Sequence, residues 1–191
     1  CSLEMTMNAT ATATVNTSAA SNYDEAADYI WNNSFDKPTL VVSRARVGVQ
    51  YDALQAGLGD ARIHYAVKAN PAPEIIRMLV ERGSGFDAAS RQEIELCLSQ
   101  GADPAKISFG NTIKRGVDIA FAHSIGVTMF AADCEAELDK IAEHAPGARV
   151  YIRLIVENSM ADWPLTRKFG CAGSLLPSLL EYTKSVGLVP Y

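Results

Sequence analysis

The chain has 191 residues, 48% of them hydrophobic, with 17 Lys and Arg against 22 Asp and Glu for a formal net charge of −5. That balance belongs to a globular protein and excludes a collagen-like or wholly disordered chain. No basic stripe offers a nucleic-acid surface, and no run of about 18 apolar residues is present to span a membrane.

In chain order, residues 1–22 come first, with candidate starts at Met5 and Met7. The stretch from Asn8 to Ser21 is small and polar and lacks the basic and apolar regions of a signal peptide. It is expected to be a disordered tail. Residues 23–60 are expected to hold an N-terminal helix and the strand Thr39–Ser43, and residues 61–191 a larger α/β domain. Cys1, Cys97, Cys134 and Cys171, and His64, His123 and His144, fall at no metal-ligand spacing, so no metal site is expected. Scattered single thiols suit a reducing compartment and point to the cytoplasm.

From residue 62 onward, apolar runs alternate with helical patterns. The runs Arg62–Val67, Gly85–Ala89, Ile107–Phe109, Val127–Ala132 and Arg149–Val156 have centres 21 to 23 residues apart. A strand, a helix of two to four turns and two short loops fill about that length. Pro71 and Pro73 open a helix carrying Ile75, Ile76, Leu79 and Val80, with Gly83 at its end. Ser90 opens the next, with Glu93 completing a capping box and Ile94, Cys97 and Leu98 on one face. Residues 114–125 place Val117, Phe121 and Ile125 on one stripe, and residues 135–144 carry Leu138, Ile141 and Ala142.

Strict alternation implies a parallel sheet. The Gly-rich phosphate turns GxGxxG and GxxxxGK[ST] are absent, and the even spacing favours a (β/α)8 TIM barrel over a doubly wound sheet. Eight such units need about 175 residues. The chain supplies five and, at Gly187–Tyr191, the start of a sixth, so it reads as a barrel truncated after about five strands.

Reacting groups of such barrels project from the C-terminal ends of the strands. Those ends carry Lys68, Asp87, Asn111, Asp133, Arg153 and Glu157. In the strand ending at Lys68, a two-residue period puts His64, Ala66 and Lys68 on one face. An amine desolvated there would have a lowered pKa and could form a Schiff base. The alternative is a strand-end lysine that snorkels to water. Arg153 falls in the apolar run Arg149–Val156, where an unpaired charge is costly, so it should meet an anion.

The segment Tyr65-Ala-Val-Lys-Ala-Asn-Pro71 resembles the cofactor-lysine motif of the pyridoxal-phosphate decarboxylases with an alanine-racemase-like barrel. That group holds ornithine, lysine, arginine and diaminopimelate decarboxylases. Gly85-Phe-Asp-Ala-Ala-Ser90 with Glu93 is similar to the family's next segment. Ile107-Ser-Phe-Gly-Asn111 with Lys114 is similar to the third, and Arg153 with Lys168-Phe-Gly170 to the fourth. The likeness runs in order from Thr39 to Tyr191.

The resemblance implies pyridoxal 5′-phosphate as cofactor, held as a Schiff base on Lys68, with Asp87 and Arg153 beside it and Glu93 near the lysine amine. Glu93 as a cap and Asp87 as a hydrogen-bonded strand-end carboxylate are the structural alternatives. The resemblance also implies an amino-acid substrate, a homodimer in which Lys168 pairs across the interface, and further site residues beyond Tyr191. The strand Thr39–Ser43 would belong to a β-domain completed there, and the chain alone is expected to be inactive. L-Ornithine, giving putrescine for polyamine synthesis, is the expected substrate. Diaminopimelate or lysine decarboxylation competes with it, as does a non-catalytic, decarboxylase-like regulatory protein.

Overall fold

The computed structural model describes residues 6–8, 25–155 and 169–191. The chain divides into two compact units, Cys1–Ala61 and Arg62–Tyr191.

In the first unit, β1 (Thr6–Asn8) pairs antiparallel with β2 (Leu40–Val42), Met7 standing opposite Val41. Sequence reading placed Thr6–Asn8 in a tail. Three residues are too few for a period to reveal, and the backbone groups of β2 offer them a template. The rest of that tail lies outside the described residues. Helix α1 spans Glu25–Asn32. A second helix, α2 (Arg44–Leu58), was not foreseen. It shows no apolar stripe, Val49, Leu54 and Leu58 all being exposed, and its start is set instead by Ser43, whose Oγ accepts from the Arg46 amide.

The second unit is a six-stranded, all-parallel sheet in the order β3 (His64–Ala66), β4 (Gly85–Ala88), β5 (Ile107–Phe109), β6 (Met129–Ala132), β7 (Arg149–Ile152) and β8 (Val189–Pro190). Spatial order follows chain order without a switch. Right-handed crossovers therefore put every helix on the same side, which is the winding of a barrel and not of a doubly wound sheet. The fold is α/β, a partial barrel of six strands. Five of them match the spaced apolar runs and β8 the beginning of the next.

Between the strands lie α3 (Pro73–Glu81), α4 (Arg91–Ser99), α5 (Gly116–Ser124), α6 (Glu135–His144) and α7 (Leu176–Ser185). The core fills the space under them. Phe86, Ala88, Ile107, Phe109, Phe130 and Val150 from the sheet, with Ile76, Leu79, Ile94, Ile119, Leu138 and Ile141 from the helices, are almost wholly buried. Burial of this kind contributes about 25 cal/mol per Å² of apolar surface.

Helix α5 corrects the sequence reading. Its inward residues are Asp118, Ile119 and Ala122, whereas Val117 is 67% exposed. Both sides of this short helix are apolar, so the period alone does not choose between them. The choice falls to Ile119 with the small Ala122, and Asp118 beside them is neutralised by Arg115 at 2.7 Å. Among the described residues no helix is long and apolar enough to cross a membrane.

Candidate active site

The alternation that sends Phe86 and Ala88 into the helix-side core sends Asp87 to the opposite face of the sheet, in register with Ala66 on β3 and Ser108 on β5. Ser108 Oγ donates to Asp87 Oδ1 at 3.0 Å. On β7, Tyr151 brings its hydroxyl into hydrogen-bonding contact with Asp87 and Ser108. Burial, and then the Asp87 charge, push the Tyr151 phenol up to about 12, with Arg153 acting in the opposite direction. Gly110, just past β5, completes this cluster: a Cβ there would sit 1.8 Å from Asp87 Oδ1, so the carboxylate lies directly over bare backbone.

Lys68 is placed differently from the strand-period reading. Strand β3 ends at Ala66, and Val67–Ala69 form a 3-10 turn. Val67 is buried, while Lys68 is exposed and makes no hydrogen bond or ion pair among the described residues. The turn follows from what lies ahead. Tyr65 Oη donates to the Asn70 carbonyl at 3.3 Å, and Asn70 Oδ1 accepts from the Ala72 amide at 3.0 Å, drawing the chain round into α3. The lysine thus stands exposed at the rim, as in the snorkelling alternative.

Arg153 is also corrected. The apolar run stops being strand at Ile152, and Arg153 is exposed just beyond it. It escapes the cost of burial by leaving the sheet, and its guanidinium lies 5.5 Å from the Phe169 ring centre. Its charge is felt at Tyr151, which links it to the Asp87 cluster.

Glu93 has the local role of a cap. Its Oε2 accepts from the Ala89 amide at 2.6 Å while Ser90 Oγ accepts from the Glu93 amide at 3.3 Å. This is a capping box displaced by one residue, the carboxylate bonding the amide before the N-cap. It fixes the turn that follows Asp87 and β4. At the end of β6, Asp133 Oδ2 accepts from the Gly170 amide at 2.9 Å and so ties down the segment in which Cys171 bridges Leu154. Glu157 and Lys168 lie outside the described residues.

Sequence reading missed Ser108, Gly110 and Tyr151 as site neighbours, and gave Lys114 no role beyond the family pattern. Lys114 is buried, its Nζ donating to the Asn111 and Ala131 carbonyls at 2.8 and 2.6 Å and pairing with Glu137 at 2.9 Å. Those carbonyls lie two residues past β5 and near the end of β6, so this network stiffens the rim. Glu137 had a legible signal. It precedes Ile141 by four residues, which sets a carboxylate on the buried stripe of α6.

The donor set suits pyridoxal phosphate. An aldehyde can reach the exposed rim amine of Lys68, and a pinned carboxylate and an arginine stand on the same rim. Comparison with known proteins agrees. Residues 44–189 match the family model described as the pyridoxal-dependent decarboxylase, pyridoxal binding domain. Decarboxylase flvG of Aspergillus flavus is 38% identical over 158 residues, covering 83% of this chain and 37% of that protein. The lysine/ornithine decarboxylase of Selenomonas ruminantium is 36% identical over 151 residues, covering 79% of this chain and 38% of that protein. The crystal structure of the Paramecium bursaria Chlorella virus arginine decarboxylase superposes with a TM-score of 0.72 at 30% identity, over 76% of this chain and 39% of that one. The chain thus spans a little over a third of the length of the relatives it matches.

Proposed function

The chain belongs to the pyridoxal-dependent decarboxylase family, and on that premise we propose that the protein containing it decarboxylates a basic amino acid, L-ornithine, with Lys68 carrying the cofactor. The observation that supports this most is the match of residues 44–189 to the pyridoxal binding domain, within which Lys68 stands accessible at the end of the first barrel strand, next to the strand that carries Asp87.

When bound, pyridoxal phosphate supplies an aldehyde that captures amines and a ring that takes up the electron pair freed with carbon dioxide. Lys68 would hold the cofactor, and its amine, exposed at the rim, could also move a proton there. Asp87, oriented by Ser108 and Tyr151, offers a fixed negative charge on the same face. Arg153 offers a positive charge outside the sheet, where an anion can reach it. Glu93 positions the turn after Asp87. The partner for this machinery is a second copy of the protein, paired through Lys168, and its place of work is the cytoplasm.

The test is borohydride reduction of the full-length protein with pyridoxal phosphate, followed by peptide mapping, alongside carbon dioxide release from ornithine, lysine and diaminopimelate. Label on Lys68 and release from ornithine are expected. Label on another lysine overturns the assignment. Release only from lysine or diaminopimelate moves the substrate, and label without any release identifies a non-catalytic binding protein.

A further inference from the structure

Three groups surround the Asp87 carboxylate, and one of them comes from far along the chain. Ser108 on the neighbouring strand donates to Oδ1 at 3.0 Å, and Gly110 leaves the carboxylate room over its backbone. Tyr151 reaches the same carboxylate from β7, three strands from β4. The residue in register with Tyr151 on the intervening β6 is Ala131, whose methyl leaves a path open to the phenol.

We infer that Tyr151 is a positioning residue for Asp87: its hydroxyl, with Ser108, holds the carboxylate over Gly110 in one orientation at the rim. A carboxylate held by two donors cannot swing, so its charge is delivered at one place. A phenol confers this better than an aliphatic side chain of similar bulk, because the ring is rigid and only the hydroxyl hydrogen has to be aimed. Such a role predicts that the hydroxyl matters and that it matters through Asp87. A tyrosine that merely filled space would matter through its ring. The inference rests on the cofactor reading proposed above.

The test is pyridoxal phosphate affinity of the full-length protein, read from its near-visible absorbance, in Tyr151→Phe, Asp87→Asn and the double variant. Tyr151→Phe is expected to weaken binding about tenfold, the effect of one hydrogen bond to a charged group. In the Asp87→Asn background the same substitution should change affinity less than about twofold. Equal effects in both backgrounds overturn the inference. Should Asp87→Asn lose its cooperative thermal transition, Tyr151→Phe is compared with Tyr151→Leu. Positioning makes the two equally weak, whereas a phenylalanine variant with wild-type affinity overturns it. If borohydride still fixes the cofactor on Lys68 while Tyr151→Phe is neutral, this inference alone falls. If the unmodified protein takes up no cofactor, the reading beneath it falls too.

Discussion

Lys114 and Glu137 form an ion pair inside the protein, Nζ 2.9 Å from Oε1, with the two side chains 0% and 4% exposed. Burial pulls the Lys114 ammonium below its ordinary range, and Glu137 pulls it back up. Lys140 donates to the other oxygen of Glu137 and to the Lys114 carbonyl, so both charges are enclosed by partners.

Removing one partner leaves the other charge buried and uncompensated. Lys114→Met is therefore expected to destabilise the full-length protein by about 3–5 kcal/mol. Adding Glu137→Leu should recover a large part of that loss, because an apolar pair needs no compensation. Urea midpoints measure both, and a double variant less stable than the single one contradicts the account.

This pair also shows where sequence reading stops. The strands were legible because βα units repeat at a fixed length, and Glu93 because a capping box is local. Lys114 and Glu137 are 23 residues apart, and their contact exists only once α6 lies over the end of β5. Lys68 was assigned to a strand by extending a two-residue period, and Arg153 by extending an apolar run, past the point where the backbone turns away. Tyr151 carried no signal at all, since an aromatic residue in an apolar run reads as core. What a period conveys is which face a residue takes. It does not convey where the strand ends, nor which strand a long side chain reaches.

The cysteines should differ in reactivity. Cys97 is fully buried, and burial followed by the nearby Glu93 charge pushes its thiol up to about 12. Cys171 is also buried and its thiol is raised, whereas Cys134 is exposed at the start of α6. Among these three, iodoacetamide at neutral pH is expected to modify Cys134 first and to leave Cys97 unlabelled until the protein unfolds. Mass spectrometry of the digested protein reads this directly, and early labelling of Cys97 contradicts the packing.

Alkaline pH should weaken the fold through Tyr151. Its folded pKa of about 12 lies above the ordinary 10.0, so the unfolded chain releases this proton first. The contribution is complete below pH 10 and is lost as pH rises toward 12. Cys97 adds a slope of the same sign, beginning from its ordinary value of 9.0. Tyr151→Phe is expected to flatten the fall in urea midpoint above pH 10 without abolishing it. An unchanged slope in that variant contradicts the burial of the phenol.

Lys68 should be separable from stability. The side chain is exposed and unpartnered among the described residues, and surface changes of this kind usually stay within about 0.5 kcal/mol. Lys68→Ala is expected to leave the thermal transition of the cofactor-free protein in place while abolishing fixation of pyridoxal phosphate. A large loss of stability would mean that the amine has a structural partner.

Gly110→Ala isolates the space beneath Asp87. The new Cβ would stand 1.8 Å from Oδ1, well inside contact distance, so one of the two must move. Gly110 does not have the left-handed backbone of Gly170, where a Cβ would also meet the Leu154 backbone at 2.8 Å. An alanine at 110 therefore costs nothing in φ, and the whole effect falls on the carboxylate. Asp87 must swing off the β5 backbone, giving up the Ser108 hydrogen bond and its contact with Tyr151. Overpacking of this kind costs about 1–3 kcal/mol, and cofactor affinity should fall with it because the charge no longer sits at one place. Shortening the acid removes the clash, so Gly110→Ala with Asp87→Ser is expected to regain the thermal stability of Asp87→Ser alone. The affinity should stay low, since the carboxylate is then gone. Were Gly110→Ala to keep both stability and affinity, Asp87 would have to be free to rotate, and its hold by Ser108 and Tyr151 would not matter.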